Sequence, residues 1–442
     1  MKKNWMKYSI SARLIIIGLL VLILLIPSFM IQSLISERQS RRDAAVAEVN
    51  EKWGQTQTIT GPILSIPFTT YIILDEGKTS SKIMYAHVLP DKLNISGTIL
   101  PEIRNRGIYD VVLYNSQLLI EGSIIIPALD DLKINPDEVI WKDAFISVGI
   151  TDMKGIKELV TFEIDSNDYL ANSGIETNNV VESGVSKIID GIKAKREFTF
   201  SFKLDINGSG GLKFTPTGKE TNVSISSNWI NPSFMGRFLP NEHDITAEGF
   251  SANWQVLHLN RNFPQKWIGS RYKVENYSFG VDLIVPVNEY QKNMRTVKYA
   301  FMFIGLTFLS FFMIELLNKK VMHPIQYLLI GFSLLVFYAL LLSISEHILF
   351  KYAYLISCLA TILLISTYTI SVLRSKLQTG IIFTILVLLY IYLYILIQLQ
   401  DFALLVGATG LFVILSLVMY LTRKIDWFSM LDIKEIENEN QI

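Results

Sequence analysis

The sequence predicts an α-helical membrane bundle of six transmembrane helices, with a large, mainly-β domain, antiparallel and sandwich-like, inserted between the first and second. Three observations predict it. Five long apolar runs follow one another between Tyr299 and Leu421. A sixth stands alone at residues 14–35, and most of the chain between alternates apolar and polar residues with period two.

A helix needs about 20 apolar residues to cross the hydrocarbon core. Residues 14–35 supply such a run, and 299–317, 325–345, 352–373, 380–399 and 402–421 supply five more, each bounded by charge or by Pro and Gly. Backbone groups in lipid must bond within their own segment, and these runs do not alternate as barrel strands do, so each is a helix. The first run is longer than a signal-peptide core and no small-residue cleavage site follows it, so it reads as an uncleaved anchor. Lys319, Lys320, Arg374, Lys376, Arg423 and Lys424 fall in loops on one side, against Lys351 in the short loops on the other. Lys and Arg favour the cytoplasm, which puts both termini (1–13 and 422–442) inside and the insert, 36–298, outside.

Within the insert, 36–53 is polar and helix-prone and continues the first span as a stalk that Gly54 ends. Residues 198–206 alternate without a fault: Phe198, Phe200, Phe202, Leu204 and Ile206 share one face, and Thr199, Ser201, Lys203 and Asp205 the other. Asn207-Gly-Ser-Gly-Gly211 then turns the chain into 212–214. Further strands are predicted at 63–73, 83–88, 107–114, 118–126, 144–150, 221–229, 249–257 and 277–285, loops at 172–179 and 264–271, and a short helix at 186–195.

Composition narrows the function. Cys358 is the one cysteine and lies in the fourth span, so the insert holds no disulfide and folds on its core alone. Forty basic and forty acidic residues give a formal net charge of zero, and no basic run suits nucleic acid. Sequons stand at Asn94, Asn207, Asn222 and Asn276. No G-x-S-x-G, P-loop, H-E-x-x-H or paired cysteines occur, and none of the five histidines lies within four residues of another, so the sequence points to no catalytic residue, metal or cofactor. Asn241-Glu-His-Asp244 reads as a solvated turn rather than a metal site. Trp229, Trp254 and Trp267, with Phe234, Phe238 and Phe250, read as core.

Ionisable residues within spans suggest function by default. Glu315 is near the inner end of the second span, four residues before Lys319, which permits an inner-end ion pair. Glu346 and His347 follow Pro324 by 22 and 23 residues, a rise of about 33 Å, which places them at the outer interface. There they are expected to meet the segment returning from the insert near Lys292, Arg295 or Lys298 and to couple insert and bundle. Tyr390 and Tyr394 share a helix face and read as bundle packing. No carboxylate stands at mid-span, which argues against ion-coupled transport.

Several junction motifs are specific. His323-Pro-Ile-Gln-Tyr-Leu-Leu329 opens the third span, Phe337-Tyr-Ala-Leu-Leu-Leu342 leads to Ser345-Glu-His347, and Thr422-Arg-Lys-Ile-Asp-Trp427 closes the sixth. Gly61-Pro-Ile-Leu-Ser-Ile-Pro67 and Ser227-Asn-Trp-Ile-Asn-Pro-Ser-Phe234 mark the insert. Together they resemble the CreD family of bacterial inner-membrane proteins from the first span to about Trp427. The resemblance implies a periplasmic insert and a role in cell-envelope integrity and stress, including the β-lactam response, and it carries over no catalytic residue. The leading expectation is a non-enzymatic protein in the lipid bilayer whose insert binds a periplasmic protein, peptidoglycan or lipid. An envelope glycan- or lipid-modifying enzyme and a small-molecule or lipid transporter are the alternatives.

Overall fold

The computed structural model describes residues 10–73, 79–192, 196–284, 289–318, 321–399 and 402–423. It divides into a helical unit, Met1–Arg42 with Val287–Ile442, and a β unit, Asp43–Pro286.

The helical elements are α1 (Ile10–Trp53), α2 (Glu289–Lys298), α3 (Ala300–Leu317), α4 (Pro324–Ser345), α5 (Phe350–Leu373), α6 (Lys376–Gln398) and α7 (Ala403–Thr422). All but the short α2 are long and apolar enough to cross a membrane, one before the β unit and five after it. The 44-residue α1 runs on without a break through Pro27 into its polar second half. It stops at Gly54, whose φ of 145° lies outside what a side chain tolerates. A Cβ there would also come within 2.8 Å of the Asn207 carbonyl. At the start of α4, His323 Nδ1 accepts from the Ile325 amide and Gln326 Oε1 from the His323 amide. With Pro324 at the first helical position, two orphan donors are satisfied before the apolar run begins.

In the β unit, seventeen described strands form two sheets. The first contains β1 (Gln57–Ile73), β2 (Thr79–Val88), β5 (Phe145–Ile150), β8 (Asn172–Ser173), β9 (Gly184–Ile188), β11 (Gly211–Thr215), β13 (Pro232–Gly236), β16 (Lys266–Ile268) and β17 (Phe279–Leu283). Its order is β13-β17-β11-β1-β5-β9-β8, with β2 beside β1 and β16 beside β2. The second runs β14-β15-β12-β3-β4-β10-β6-β7. Those strands are β3 (Lys92–Arg106), β4 (Tyr109–Ile125), β6 (Thr161–Ile164), β7 (Asn167–Leu170), β10 (Glu197–Ser209), β12 (Glu220–Ser227), β14 (Glu242–Thr246) and β15 (Gly249–Leu257). Pairing is antiparallel except between β1 and β11 and between β3 and β12.

Inward residues of both sheets form one core. Leu64, Ile146 and Phe214 from the first sheet join Ile95, Ile120, Phe200, Leu204 and Trp254 from the second. The Trp254 and Phe279 rings meet across the sheets at 5.7 Å. Trp267 and Phe250 are buried, and Trp229, Phe234 and Phe238 pack against the core edge. Tyr114 is fully buried and donates to the Gly211 carbonyl at 2.7 Å, and its hydroxyl lies where any Cβ at residue 208 would be.

Four local expectations are corrected. Residues 184–188, where a helix at 186–195 was predicted, form β9, because Ser147 pairs with Ser186 and the Ser186 hydroxyl donates to the Gly174 carbonyl. The loop at 264–271 contains β16, which the β2 edge recruits through the Trp267–His87 pairing. The loop at 172–179 opens with β8. The two strands predicted at 107–114 and 118–126 are one, β4, whose ladder with β3 continues from Lys92–Ser123 to Arg106–Tyr109.

The alternation in β10 sets a measurable asymmetry. Leu204 is buried and Lys203 exposed. Leu204→Ala should destabilise the purified full chain by about 3 kcal/mol, and Lys203→Ala by no more than about 0.5 kcal/mol. Urea unfolding in detergent reads both, and equal losses would contradict the assigned faces.

Candidate functional site

Polar contacts in the helical unit concentrate at the two ends of α1. Near its start, Arg13 Nη1 lies 2.8 Å from Glu315 Oε1 of α3, and the Tyr327 hydroxyl of α4 donates to Glu315 Oε2 at 2.8 Å. The Glu315 side chain is 1% exposed. Lys319, its predicted i,i+4 partner, lies outside the described residues. Near the other end of the apolar stretch, Glu346, just past α4, accepts from the Tyr290 hydroxyl of α2 at 2.9 Å and stands 3.8 Å from Arg38 Nη1. Arg13 and Arg38 are 25 residues apart on one helix, a separation of about 38 Å. That exceeds a hydrocarbon core of about 30 Å, so each clasp sits at a membrane interface. Between them α1 approaches α4 closely: a Cβ on Gly331 would fall 2.2 Å from Leu24 Cδ1.

The other predicted residues gather around α2. Arg295 donates to the carbonyls of Leu399, at 2.6 Å, and Leu396, at 3.5 Å, so its charge caps the C-terminal end of α6. Lys292 lies 5.5 Å from the Phe350 ring centroid. Asn293 is buried and donates to the Ser345 hydroxyl at 2.7 Å. His347 and Lys298 are exposed. The return helix therefore meets Glu346 through Tyr290, while the charge of Arg295 is directed to a helix terminus.

The bundle interior is aromatic. Phe303 and Phe337 lie 4.6 and 4.8 Å from Tyr390, and the Tyr354 hydroxyl donates to the Tyr390 carbonyl at 2.6 Å. Tyr394 stacks 5.1 Å from Tyr354. This packing leaves Glu315 as the one carboxylate within the described apolar helices α3–α7, and it is clasped at an end.

In the β unit, the β1–β2 register sets Ser65 opposite His87. Ser65 Oγ is 2.9 Å from His87 Nδ1 and Asn179 Nδ2 is 3.3 Å from His87 Nε2. Ser65 and His87 are 2% and 0% exposed. Burial lowers the His87 pKa from 6.5 to about 4, so the ring is neutral at neutral pH. Sequence spacing gave no hint of this group, because Ser65, His87 and Asn179 meet only through the sheet. Arg261 is buried in the same way: Nη1 donates to the Phe263 carbonyl at 2.6 Å and Nη2 to that of Thr217 at 3.1 Å. Burial brings its pKa down to about 10.

The outward face of the second sheet is polar and exposed at Asn94, Glu121, Glu163 and Gln255. Strand registers align Gln255, Asn222, Asn94, Glu121, Ser201 and Glu163 in one row across six strands. At about 4.8 Å per strand the row spans about 24 Å. Two grooves follow it, with volumes of about 500 and about 340 Å³, and both are lined by Asn94 and Glu121. Asn222 donates to Asn94 at 3.1 Å, and Gln255 and Asn222 donate to Glu220, which holds that carboxyl below its ordinary range. The turn predicted at 241–244 is instead mostly strand at this rim, because Glu242, His243 and Asp244 of β14 pair with β15, and His243 stacks 5.2 Å from Phe234. Among the described residues no group of His, Cys, Asp and Glu is placed to hold a metal.

Comparison with known proteins gives a concordant result. The family described as Inner membrane protein CreD matches residues 9–428. The Inner membrane protein CreD of Escherichia coli (strain K12) is 31% identical over 414 residues, covering 92% of this chain and 92% of that protein.

Two measurements test this geometry. Arg13→Ala leaves a buried carboxylate without its cation and should cost about 3–5 kcal/mol. Adding Glu315→Gln should recover most of the loss in a thermal melt of the detergent-solubilised chain. For His87, the folded pKa is depressed, so the unfolded chain takes up the proton first as pH falls. Its contribution is intact above pH 6.5 and is lost between 6.5 and about 4. The full loss is about 3 kcal/mol. His87→Gln should flatten that part of the stability profile, and an unchanged slope would place the titration elsewhere.

Proposed function

The chain belongs to the CreD family of inner membrane proteins, and from that premise we propose that it is a non-enzymatic envelope protein whose β unit is a binding domain. The helical unit anchors it as a multi-pass protein of the inner membrane. Both termini lie in the cytoplasm and the β unit in the periplasm, in accord with the Lys and Arg bias of the short loops. Its role is to support envelope integrity and the response to envelope stress, including β-lactams. The observation that carries the reading is the row of amides, hydroxyls and carboxylates along an open groove on the second sheet. A half-buried sheet needs only its inner face for stability, so the outer face is free to recognise something.

The clasp at Glu346 is the coupling point in this proposal. The chain enters the β unit through α1 and leaves it into α2, and Glu346 holds residues of both, Arg38 and Tyr290. His347, Arg295 and Lys298 complete the polar set at this end. A strain on either segment reaches α4 through one carboxylate.

Photo-reactive residues at Ser201, Lys203 and Ser224 should give reproducible adducts in intact cells, read by mass spectrometry. Lys203→Cys should be labelled by a membrane-impermeant maleimide without lysis. Absence of adducts at all three positions would remove the binding role from this face, and labelling only after lysis would overturn the orientation. Glu346→Gln should weaken stress tolerance at unchanged protein abundance, and loss only in proportion to abundance would make the clasp purely structural.

A further inference from the structure

We infer that the groove on the second sheet binds an amine-bearing glycan, a chain of sugar rings with hydroxyl or acetamido groups and at least one ammonium group. The inference rests on the reading of that face as the binding face and names the chemistry of its ligand.

The groove has two chemically distinct halves joined at Asn94 and Glu121. One half is rich in amides, among them Asn222, Asn253 and Gln255, with the Glu242 carboxylate at its rim. The other is lined by Glu121, Glu163 and Asp165 with the hydroxyls of Thr199 and Ser201. Side-chain amides both donate and accept, and they suit groups that do the same, such as hydroxyls and acetamides. Ionised carboxylates only accept, and they suit ammonium and hydroxyl donors. Glu121 and Glu163 form no ion pair or side-chain hydrogen bond among the described residues, and neither half is lined by lysine or arginine. Polyanions are therefore repelled, and phosphate-rich headgroups find no cation.

The shape agrees with this chemistry. Two adjoining grooves that share Asn94 and Glu121 and together follow six strands suit an extended chain better than a compact molecule. Drug-sized ligands are enclosed by mostly apolar walls, which this face lacks. The row is also ordered in advance. Asn222 is held by Asn94 and Glu220, and Gln255 by Glu220, so these side chains lose little freedom on binding. Affinity per ring is small in so wet a site, and successive rings add to it.

The test uses the full chain in nanodiscs at about pH 6 with four probes titrated by calorimetry. Glucosamine trimer should bind most tightly, N-acetylglucosamine trimer about tenfold more weakly, and a sulfated oligosaccharide not at all. Glu121→Gln should weaken the glucosamine trimer about tenfold and leave the acetylated trimer nearly unchanged, and Asn94→Ala should weaken both. Both positions are exposed, and an unchanged melting temperature confirms that each variant is folded. Trilysine, the fourth probe, bound as tightly as glucosamine trimer would show a site for cationic peptide and overturn the glycan assignment. Failure of both sugars to bind, or binding indifferent to both substitutions, would overturn it as well. In-cell adducts from Ser201 to a protein, with no sugar binding, would refute this inference and leave the binding role standing.

Discussion

Lipid tails are as apolar as leucine, so the hydrophobic effect that assembles a water-soluble core does little to hold one membrane helix against another. For α1 the difficulty is acute, since most of its apolar surface faces outward and the sequence separates it from every other span. What holds it is a pair of carboxylates, Glu315 and Glu346, each shared between a residue of α1 and a tyrosine, with the Leu24–Gly331 approach between them. The Glu315 carboxylate is 1% exposed, so Arg13 and Tyr327 satisfy it in place of water, and Arg38 and Tyr290 serve the less buried Glu346. Removing both would leave α1 with the Leu24–Gly331 approach and its other apolar contacts.

The β unit solves the opposite problem. It has water on its outside and no disulfide available, so it relies on a core shared by two sheets and on a smaller cluster around Trp267 and Phe263. That core takes Phe200 and Trp254, and the smaller cluster packs beside neutral His87 and the Arg261 guanidinium, both tied by hydrogen bonds. His87 and Arg261 are thus buried and hydrogen-bonded, whereas the amide and carboxylate row is accessible. The division follows from alternation: along a strand, every residue used for the core leaves its neighbours to solvent.

The fold class was legible because its signals are local. Apolar runs long enough to span, and the unbroken alternation of 198–206, each lie within one element. Strand β3 was missed because Gly97 occupies an inward position between Ile95 and Ile99 and breaks the pattern; any Cβ there would meet the Gln117 carbonyl at 2.3 Å. The residues 184–188 lack a strand's apolar rhythm and are ordered by their neighbours in the sheet. The polar contacts were less legible still. Glu315 stood out as an acid in a span, but nothing near it names Arg13, whose place opposite it is decided by how two helices pack. The depth of Glu346 followed from helix rise, whereas Tyr290 and Arg38 required the path of the chain on both sides of the β unit. The amide row became visible only once six strand registers were known.

The Arg13–Glu315 contact joins residues 302 positions apart. At a synthesis rate of about 5–20 residues per second, roughly 15–60 s pass between the emergence of one and of the other. Throughout that interval α1 is in the bilayer with neither clasp available. It must therefore insert and stay on its own hydrophobicity, and its apolar window is the strongest of the six. The β unit is complete before α3 is made, so a folded domain is already attached to a lone helix when the remaining spans arrive. Assembly of this protein is accordingly a timed event, in which the membrane part closes last around the helix that entered it first.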